Sequence, residues 1–402
     1  MQRKIYFLFG VVVISVLYGC FGRNGEQMKY VYSRPSIELD NDTSELIHFD
    51  ILGAPLSDFY DHVDSIRIIP IVTTDEALIG QISQLYIVNN TLFIADYTKA
   101  KAIFAFDMQG DFLYKIHKVG QGPGEYNRLN MVHMNDSTIM INDWISGKII
   151  QYDLRGKLLF EKRVHPNPSD FIEMNNREML FYFGSYNEKQ PYQLVFSDSD
   201  LQWKETAMPH LNDRDKGATT GISLFQKSRD GNILFQKMLC DTIFQISIDK
   251  HIKPKYHLGF HAPGEINEFM ESTKDFEIKK YFKSMMKITS TLLFFELDDM
   301  YYIQYHSVGK QFNSIIKKED YRIVRSIVAD EKERFSQLPF QIAGHHQNNL
   351  LGYFDVSFFD LLSKKNLEYM YSLLDEKAIN EINALKKNDN NPVIVIIYLK
   401  KS

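Results

Sequence analysis

The sequence predicts an all-β fold built from repeated small sheets, and three observations support this. Most of the stretch 85–126 recurs in register 46 residues later, so that Leu92–Asp96 corresponds to Thr138–Asn142 and Phe106–Leu113 to Tyr152–Leu159. Each copy consists of short apolar strands separated by turns rich in Asn, Asp and Gly, which is typical of hairpins. A C-terminal run, Val393–Tyr398, has the β-branched density of a buried strand.

A repeat of about 40–50 residues made of strands and turns is typical of a β-propeller blade rather than a helical solenoid. The first blade has four predicted strands, and the second matches it turn for turn. Later units are less regular but keep the same order of strands and turns. The predicted units number six and span 82–117, 129–164, 171–206, 221–259, 292–328, and 341–353 together with 393–399.

The last sheet is predicted to draw on both ends of the chain. The ring of a propeller is weakest between its first and last blades, and it is closed when an N-terminal strand pairs with a C-terminal strand in one sheet. Here the two strands are Ser65–Ile71 and Val393–Leu399. Two stretches, Glu265–Met286 and Lys364–Lys386, carry apolar residues at helical spacing and are predicted as helical insertions on one face, candidates for covering the channel. The predicted fold is therefore a six-bladed β-propeller with two helical insertions, closed by its N- and C-terminal strands.

Composition excludes one class of partner. The 402 residues carry a net charge of −5 with no basic stripe, which argues against nucleic-acid binding. A hydrophobic content of 44% and an aromatic content of 13% are ample for a large core. Nothing after residue 18 approaches the roughly 20 apolar residues that a membrane-spanning helix needs.

The N-terminus has the layout of a secretory signal. Arg3 and Lys4 precede the apolar run Ile5–Tyr18, and the run ends at Gly19 and Cys20 in a pattern that resembles a bacterial lipobox. We therefore expect residues 1–19 to be a lipoprotein-type signal peptide and Cys20 to carry the lipid. The alternative is an ordinary signal followed by a cysteine without lipid. Residues 20–60 are polar and predicted to be a flexible tether, which leaves 61–402 for the propeller.

The second cysteine, Cys240, lies in an apolar stretch and is predicted to be a small core residue. Two cysteines cannot form a disulfide framework if one of them carries a lipid. No zinc-ligand spacing or catalytic-cysteine signature surrounds Cys240.

Three stretches together resemble a known family. They are the heptad Gly120–Tyr126, the segment Cys240–Tyr256, and the segment Asp389–Val395. These stretches, which with the first blade span most of the mature chain, closely resemble a large group of bacterial six-bladed β-propeller lipoproteins related to NHL-type propellers. The resemblance implies the fold and a location in the cell envelope, and it implies no reaction.

The heptad Gly120–Tyr126 is the strongest motif in the chain. It lacks the Gly-Lys-Ser/Thr ending of a phosphate loop and precedes a strand rather than a helix, so a tight turn between blades is the favoured interpretation. If the loop binds a ligand, Glu125 and Tyr126 are the side chains best placed to do so.

Candidate catalytic groups are sparse. Asp96, Asp107, Asp143 and Asp153 follow strands, where carboxylates cap turns, and a metal site would require several such groups to converge. The adjacent pair His345 and His346 would point to opposite faces of a strand and is predicted to lie in a solvated loop. Three other histidines, His117, His133 and His165, have no serine or carboxylate partner nearby in the sequence. No catalytic residue, metal or cofactor is predicted.

We therefore expect a monomeric binding module, lipid-anchored to a membrane of the cell envelope (the outer membrane is favoured) with its globular part periplasmic or surface-exposed. Its expected partner is a protein or a glycan or peptide ligand of the envelope. The alternative is a metal-assisted lyase or hydrolase that acts on an envelope glycan or peptide at the propeller axis.

Overall fold

The computed structural model describes most of the chain after residue 36. The described residues are 37–40, 42–175, 177–186, 189–210, 223–237, 239–262, 265–273, 275–277, 280, 283–284, 287–330, 340–355, 368, 370–385 and 392–400. The predicted signal peptide and Cys20 lie outside them.

Strands dominate the described residues. In chain order they are β1 Ile47–His48, β2 Val63–Ile69, β3 Gln84–Val88, β4 Thr91–Asp96, β5 Ala102–Phe106, β6 Phe112–Ile116, β7 Leu129–Met134, β8 Thr138–Asp143, β9 Lys148–Asp153, β10 Leu158–Arg163, β11 Asp170–Glu173, β12 Met179–Tyr182, β13 Tyr192–Ser197, β14 Trp203–Pro209, β15 Phe225–Lys227, β16 Ile233–Gln236, β17 Thr242–Ile246, β18 Ile252–His257, β19 Ser290–Glu296, β20 Met300–Ser307, β21 Lys310–Lys317, β22 Ile323–Asp330, β23 Gln341–His346, β24 Asn349–Phe354 and β25 Val393–Leu399.

These strands form six antiparallel sheets arranged as the blades of a propeller, which confirms the predicted fold. From the inside outwards, blades 1 to 5 are β3–β6, β7–β10, β11–β14, β15–β18 and β19–β22, and blade 6 is β23, β24, β25 and β2. The six innermost strands, β3, β7, β11, β15, β19 and β23, therefore surround the axis.

The hydrophobic core lies between neighbouring blades. One cluster joins blades 1 and 2 through side chains such as Phe93 and Ile141, and another joins blades 6 and 1 through Ile394 and Phe104. The aromatic residues that are abundant in the sequence fill these layers, because a propeller needs large side chains where the sheets diverge from the axis. Neighbouring blades are thus held together by side-chain packing, whereas backbone hydrogen bonds set the register of the strands within each blade.

Blade 6 closes the ring as predicted. Its outermost strand β2 pairs antiparallel with β25, with Ile66 opposite Ile397 and Ile68 opposite Val395. The strand β25 is buried along nearly its whole length. The closing sheet therefore joins residues more than 300 positions apart and leaves no open seam.

Two α-helices are bounded within the described residues, α1 Glu265–Thr273 and α2 Glu376–Leu385. The first follows the outermost strand of blade 4 and the second connects β24 to β25. Because β18 is the fourth strand of its antiparallel blade and β24 the second of its own, both strands end at the same face of the disc. The chain segments that follow them therefore leave from one face, as the sequence predicts. The turn before α2 lies at the rim of blade 6, where the Leu373 carbonyl accepts a hydrogen bond from Ile66 N at 3.1 Å. This turn therefore covers the edge of a blade, away from the axis.

The described residues 37–40 and 42–57, which we call the strap, run along the outside of the propeller. Ile37 N donates to Thr206 O of blade 3 at 2.7 Å, and β1 pairs in parallel with β18 of blade 4. Ser57 N donates to Arg325 O of blade 5 at 2.9 Å. The flexible tether predicted for residues 20–60 is therefore wrong from residue 37 onwards. Polar composition suggested a free linker, but these backbone groups are paired with outer strands.

The strap also contributes to the core. Phe49 is 1% exposed and packs among the rings of Tyr256, Tyr301 and Tyr321, with ring centroids 5.5–6.1 Å apart. Ile51 is fully buried beside it. A segment that buries such side chains is part of the folded domain.

Among the described residues, no helix has both the length and the apolar character required to cross a membrane.

Candidate functional site

Polar side chains on the innermost strands, or close to them, connect neighbouring blades. Tyr97 donates its hydroxyl proton to Gln84 Oε1 and accepts a hydrogen bond from Val132 N at 3.0 Å. The Tyr86 hydroxyl donates to the Val132 carbonyl. Blades 1 and 2 are therefore joined by two tyrosines that clamp both backbone groups of one residue in β7.

Asp170, the first residue of β11, joins three blades. Its side chain is 0% exposed, its Oδ1 lies 3.2 Å from His133 Nε2 of blade 2, and its Oδ2 accepts from Ser223 Oγ at 2.9 Å and Leu224 N at 2.7 Å just before β15. A buried carboxylate is stable only when it is hydrogen-bonded or paired. Its position therefore depends on partners that come from three different repeats.

A second cluster lies towards the other end of the axis, because Glu296 is the last residue of β19 and His345 the last but one of β23, whereas Gln84 and Asp170 are the first residues of their strands. Gln226 Nε2 donates to Glu296 O at 2.9 Å, and Gln226 Oε1 accepts from Glu296 N at 2.9 Å. The side-chain amide of this glutamine in blade 4 thus pairs with both backbone groups of Glu296 in blade 5, as a residue of a neighbouring strand would. Its second amide proton points to His345 Nε2, 3.2 Å away in blade 6.

The contact between Gln226 and His345 links blades that are not neighbours, so side chains cross the axis at this level. Because the amide donates, His345 Nε2 is the acceptor and Nδ1 carries the ring proton. That Nδ1 is buried and has no hydrogen-bond partner among the described residues. The imidazole also lies against the ring of Phe295, with centroids 4.6 Å apart.

Three ionisable side chains of this network, His345, Tyr86 and Tyr97, are held in their neutral forms. Burial lowers the pKa of His345 to about 4, with a further lowering by the neighbouring His346. Burial raises the pKa of Tyr86 and Tyr97 far above the usual range, and the charge of Asp170 acts in the same direction. Neutral donors and acceptors suit a structural or ligand-orienting network, because at neutral pH none of these three groups is close to its pKa.

The backbones of blades 6 and 1 approach closely beside this network. A Cβ atom placed on Gly344 would lie 2.3 Å from the carbonyl oxygen of Leu85. Only glycine permits this approach between two innermost strands. The axis is therefore lined by a nearly continuous series of contacts between blades.

The loop Gly120–Tyr126 is held internally. Gly122 N donates to Glu125 Oε2 at 2.8 Å, and Tyr126 is fully buried with its hydroxyl donating to Lys101 O at 2.8 Å. Gly124 adopts a φ of +67°, a conformation that favours glycine, and its N donates to Glu161 Oε2 at 2.6 Å. The two side chains named as candidate ligand contacts, Glu125 and Tyr126, thus stabilise the loop, and their role in binding stays a prediction.

The aspartates after the strands cap turns, as the sequence predicts. Asp96 accepts four backbone N–H groups, from Gly80, Gln81, Thr98 and Lys99, at 2.8–3.1 Å. The carboxylates of Asp107, Asp143 and Asp153 do the same for neighbouring backbone groups. Within the described part of the chain, no group of three or more His, Cys, Asp or Glu side chains is arranged to hold a metal ion.

One expectation about histidines is wrong, and a second histidine has a partner that the sequence does not show. His345 and His346 lie in strand β23 rather than in a solvated loop, and His345 contacts Gln226 across the axis. His133, which has no acidic partner nearby in the sequence, lies beside Asp170, 37 positions later. Neither partner is local, so only the closed ring brings them together. The signal in the sequence that could have indicated these contacts between blades is a polar residue at the start of a short inner strand, such as Asp170.

The two cysteines differ in what the structure reports. Cys20 lies outside the described residues, so its lipidation stays a prediction. Cys240 is a free thiol in the loop before β17, and burial raises its pKa. An un-ionised thiol is a poor nucleophile, which agrees with the prediction of a small packing residue.

The fold and the interlocked axis define a six-bladed β-propeller. Residues 53–398 match the model of a family described as a domain of unknown function, DUF4934, and the chain belongs to this family. No curated protein matches the chain.

Solved structures of three bacterial proteins are similar to this chain. A Bacteroides fragilis protein described as a "Putative exported protein" is 16% identical, with a TM-score of 0.71 over 89% of this chain and 99% of that one. A member of the DUF4221 family from Bacteroides vulgatus is 10% identical, with a TM-score of 0.50 over 84% and 98%. Virginiamycin B lyase from Staphylococcus aureus is 12% identical over 71% and 80%, and its TM-score of 0.41 is too low for an argument. At these identities the likenesses are evidence for the fold alone.

Proposed function

We propose that this protein is a binding module of the bacterial cell envelope, held to a membrane by a lipid on Cys20. The observation that supports a binding role is the contact of Gln226 with both Glu296 and His345, which fills part of the axis with paired side chains. A catalytic propeller of the metal-dependent kind would need converging, unpaired ligands at this place. The ring instead supplies a rigid frame that presents loops and edges to a partner.

The proposed location is supported by the layout of residues 1–20 and by a neighbour described as exported, although that description belongs to the neighbour. We infer the outer membrane as the site of anchoring and the periplasm or the cell surface as the location of the propeller. The proposed ligand is a protein, or a glycan or peptide of the envelope.

The anchor is tested by fractionating cells that produce Cys20→Ser. Release of this variant from the membrane fraction is the expected result, because its only proposed lipid attachment is lost. Cys240→Ser is the matched control and should stay with the membrane. If Cys20→Ser partitions like the wild type, the lipoprotein proposal fails.

The binding role is tested with the Cys20→Ser protein and a set of cell-wall glycans and stem peptides. Calorimetry should detect binding that survives EDTA, and mass spectrometry of the same mixtures should show the probes intact. A probe that is cleaved, with cleavage abolished by EDTA, would instead establish the metal-assisted lyase or hydrolase.

A further inference from the structure

The outer edges of the blades are not equivalent. Backbone groups of the outermost strands of blades 3, 4 and 5 are paired with the strap, and the outermost strand of blade 6 receives the carbonyl of Leu373. By contrast, β6 of blade 1 and β10 of blade 2 have no backbone partner on their outer sides among the described residues. We call these two edges the open rim.

An unpaired strand edge is a template for another extended chain. On this molecule the strap already shows how such a chain is held. It runs parallel to the outermost strands and gives each blade one or a few backbone hydrogen bonds as it passes to the next.

The register of the open rim matches that of an occupied edge. In blade 3, the outer strand has a bulge between its pairs Trp203–Ser197 and Glu205–Phe196, and the next residue, Thr206, accepts the strap's Ile37 N. The same irregularity follows the first pair of β10 and of β6. By this equivalence the residues that correspond to Thr206 are Glu161 in blade 2 and Lys115 in blade 1. Their carbonyl groups are therefore the expected acceptors for an added strand.

Charge indicates which chain would fit. The strap stretch 37–50 holds five carboxylates and no lysine or arginine, and it lies on a basic edge. Glu45 forms an ion pair with Lys253 at 2.5 Å, and Asp40 Oδ2 lies 3.1 Å from His251 Nε2.

The open rim has a similar charge. Strands β6 and β10 carry Lys115, Lys162 and Arg163 against one carboxylate, Glu161, which is already paired with Lys148 at 3.0 Å. Arg163 is exposed and makes no ion pair with any described residue. The rim also exposes two leucines, Leu113 at 47% and Leu159 at 50%, which can contact apolar side chains of an added strand.

We propose that the open rim binds an acidic, extended segment of a partner polypeptide by parallel strand addition to β6 and β10. The bound segment continues, along blades 1 and 2, the path that the strap follows along blades 3 to 5. The proposal deepens the binding role above by naming the surface and the class of ligand, and it does not depend on the lipid anchor.

The chain's own upstream segment is a poorer match. Residues 21–36 contain Arg23, Lys29 and Arg34 against a single acidic residue, Glu26, so this segment is repelled by a basic edge. A strand supplied by a partner therefore fits better than this part of the same chain.

The test uses a fluorescent synthetic peptide with the sequence of residues 37–50 as the acidic probe and the Cys20→Ser protein as the receptor. Fluorescence anisotropy should show saturable binding that weakens as salt is added. Hydrogen exchange of the complex should slow at backbone amides of β6 and β10. Protection confined to the loops of either face of the disc would overturn the proposal, and so would the absence of binding.

The paired variants are Lys115→Glu with Arg163→Glu, and Lys377→Glu as the matched surface control on α2, where the side chain is 84% exposed. The rim variant should lose affinity by on the order of tenfold, the effect of about two exposed ion pairs turned repulsive, whereas the control should not change. Equal affinity of both variants would mean that the probe binds elsewhere.

Two further measurements identify the occupant. A peptide with the sequence of residues 21–36 should bind more weakly than the acidic probe, and the reverse order would assign the rim to the chain's own segment. Sedimentation of the protein alone should show a monomer, because a dimer lost in the rim variant would make a second copy the occupant. Failure of the acidic probe alongside successful glycan binding would remove this proposal and leave the binding role intact.

Discussion

Blades 1 and 2 differ from blades 3 to 6 in how they are stabilised. The first pair repeats in register, and Asp107 and Asp153 organise equivalent turns within each blade by accepting backbone N–H groups of residues two and four positions later. Asp198 organises the same kind of turn in blade 3. Blades 3 to 6 are nevertheless less regular in sequence, and blades 3 to 5 are also paired with the distant strap. The regular repeat therefore coincides with the two blades whose outermost strands have no further backbone partner among the described residues.

The outer edges of the blades differ in the same way. Those of blades 1 and 2 have no covering segment among the described residues and so remain accessible. Blades 3 to 6 are covered by chain segments that also bury aromatic side chains. A protein that must keep one edge available for a partner gains from confining its own strap to the other blades.

The largest expected effect comes from the buried carboxylate that joins three blades. Asp170→Ala leaves Ser223, Leu224 N and His133 without their partner and should cost about 3–5 kcal/mol of unfolding free energy. The local counterpart Asp153→Ala should cost about 1 kcal/mol, because its turn is half-exposed. Urea unfolding of both variants measures the contrast, and equal losses would erase the distinction between local and distant stabilisation.

The strap and the open rim should differ almost as much. Phe49→Ala removes a ring that is 1% exposed and should cost about 3–4 kcal/mol, whereas Leu113→Ala on β6 should cost less than about 0.5 kcal/mol. Thermal unfolding provides the measurement. A loss of unfolding free energy for Phe49→Ala as small as that for Leu113→Ala would indicate that the strap contributes little to stability. Covered and open edges would then not differ in this respect.

A smaller effect is expected at acid pH. The pKa of His345 is lowered to about 4 in the folded state, against about 6.5 when unfolded, so the unfolded chain binds the extra proton between these values. Stability is therefore unaffected by this group above about pH 6.5 and falls as the pH drops towards 4, by up to about 3 kcal/mol. His345→Gln should flatten that part of the pH profile relative to wild type. Parallel profiles would show that the ring is not held neutral at the axis.

Much of the architecture could be predicted from the sequence because it depends on local periodicity. The turns of blades 1 and 2, the closing strand Val393–Leu399 and the helical stretches all carry their signal within a few residues. The strap was missed because acidic, polar composition is typical of linkers, and its pairing depends on strands about 170–270 positions away. The contact between His345 and Gln226 joins residues 119 positions apart and was equally inaccessible.

The number of blades, their order along the chain and the pairing of an N-terminal with a C-terminal strand in one sheet were encoded in the pattern of residues alone, since alternation and turn chemistry act between near neighbours. The identity of the groups that meet at the axis, the route of the strap and the two uncovered edges were decided only by the tertiary structure. Curving six sheets into a ring sets distances between side chains that no local pattern records.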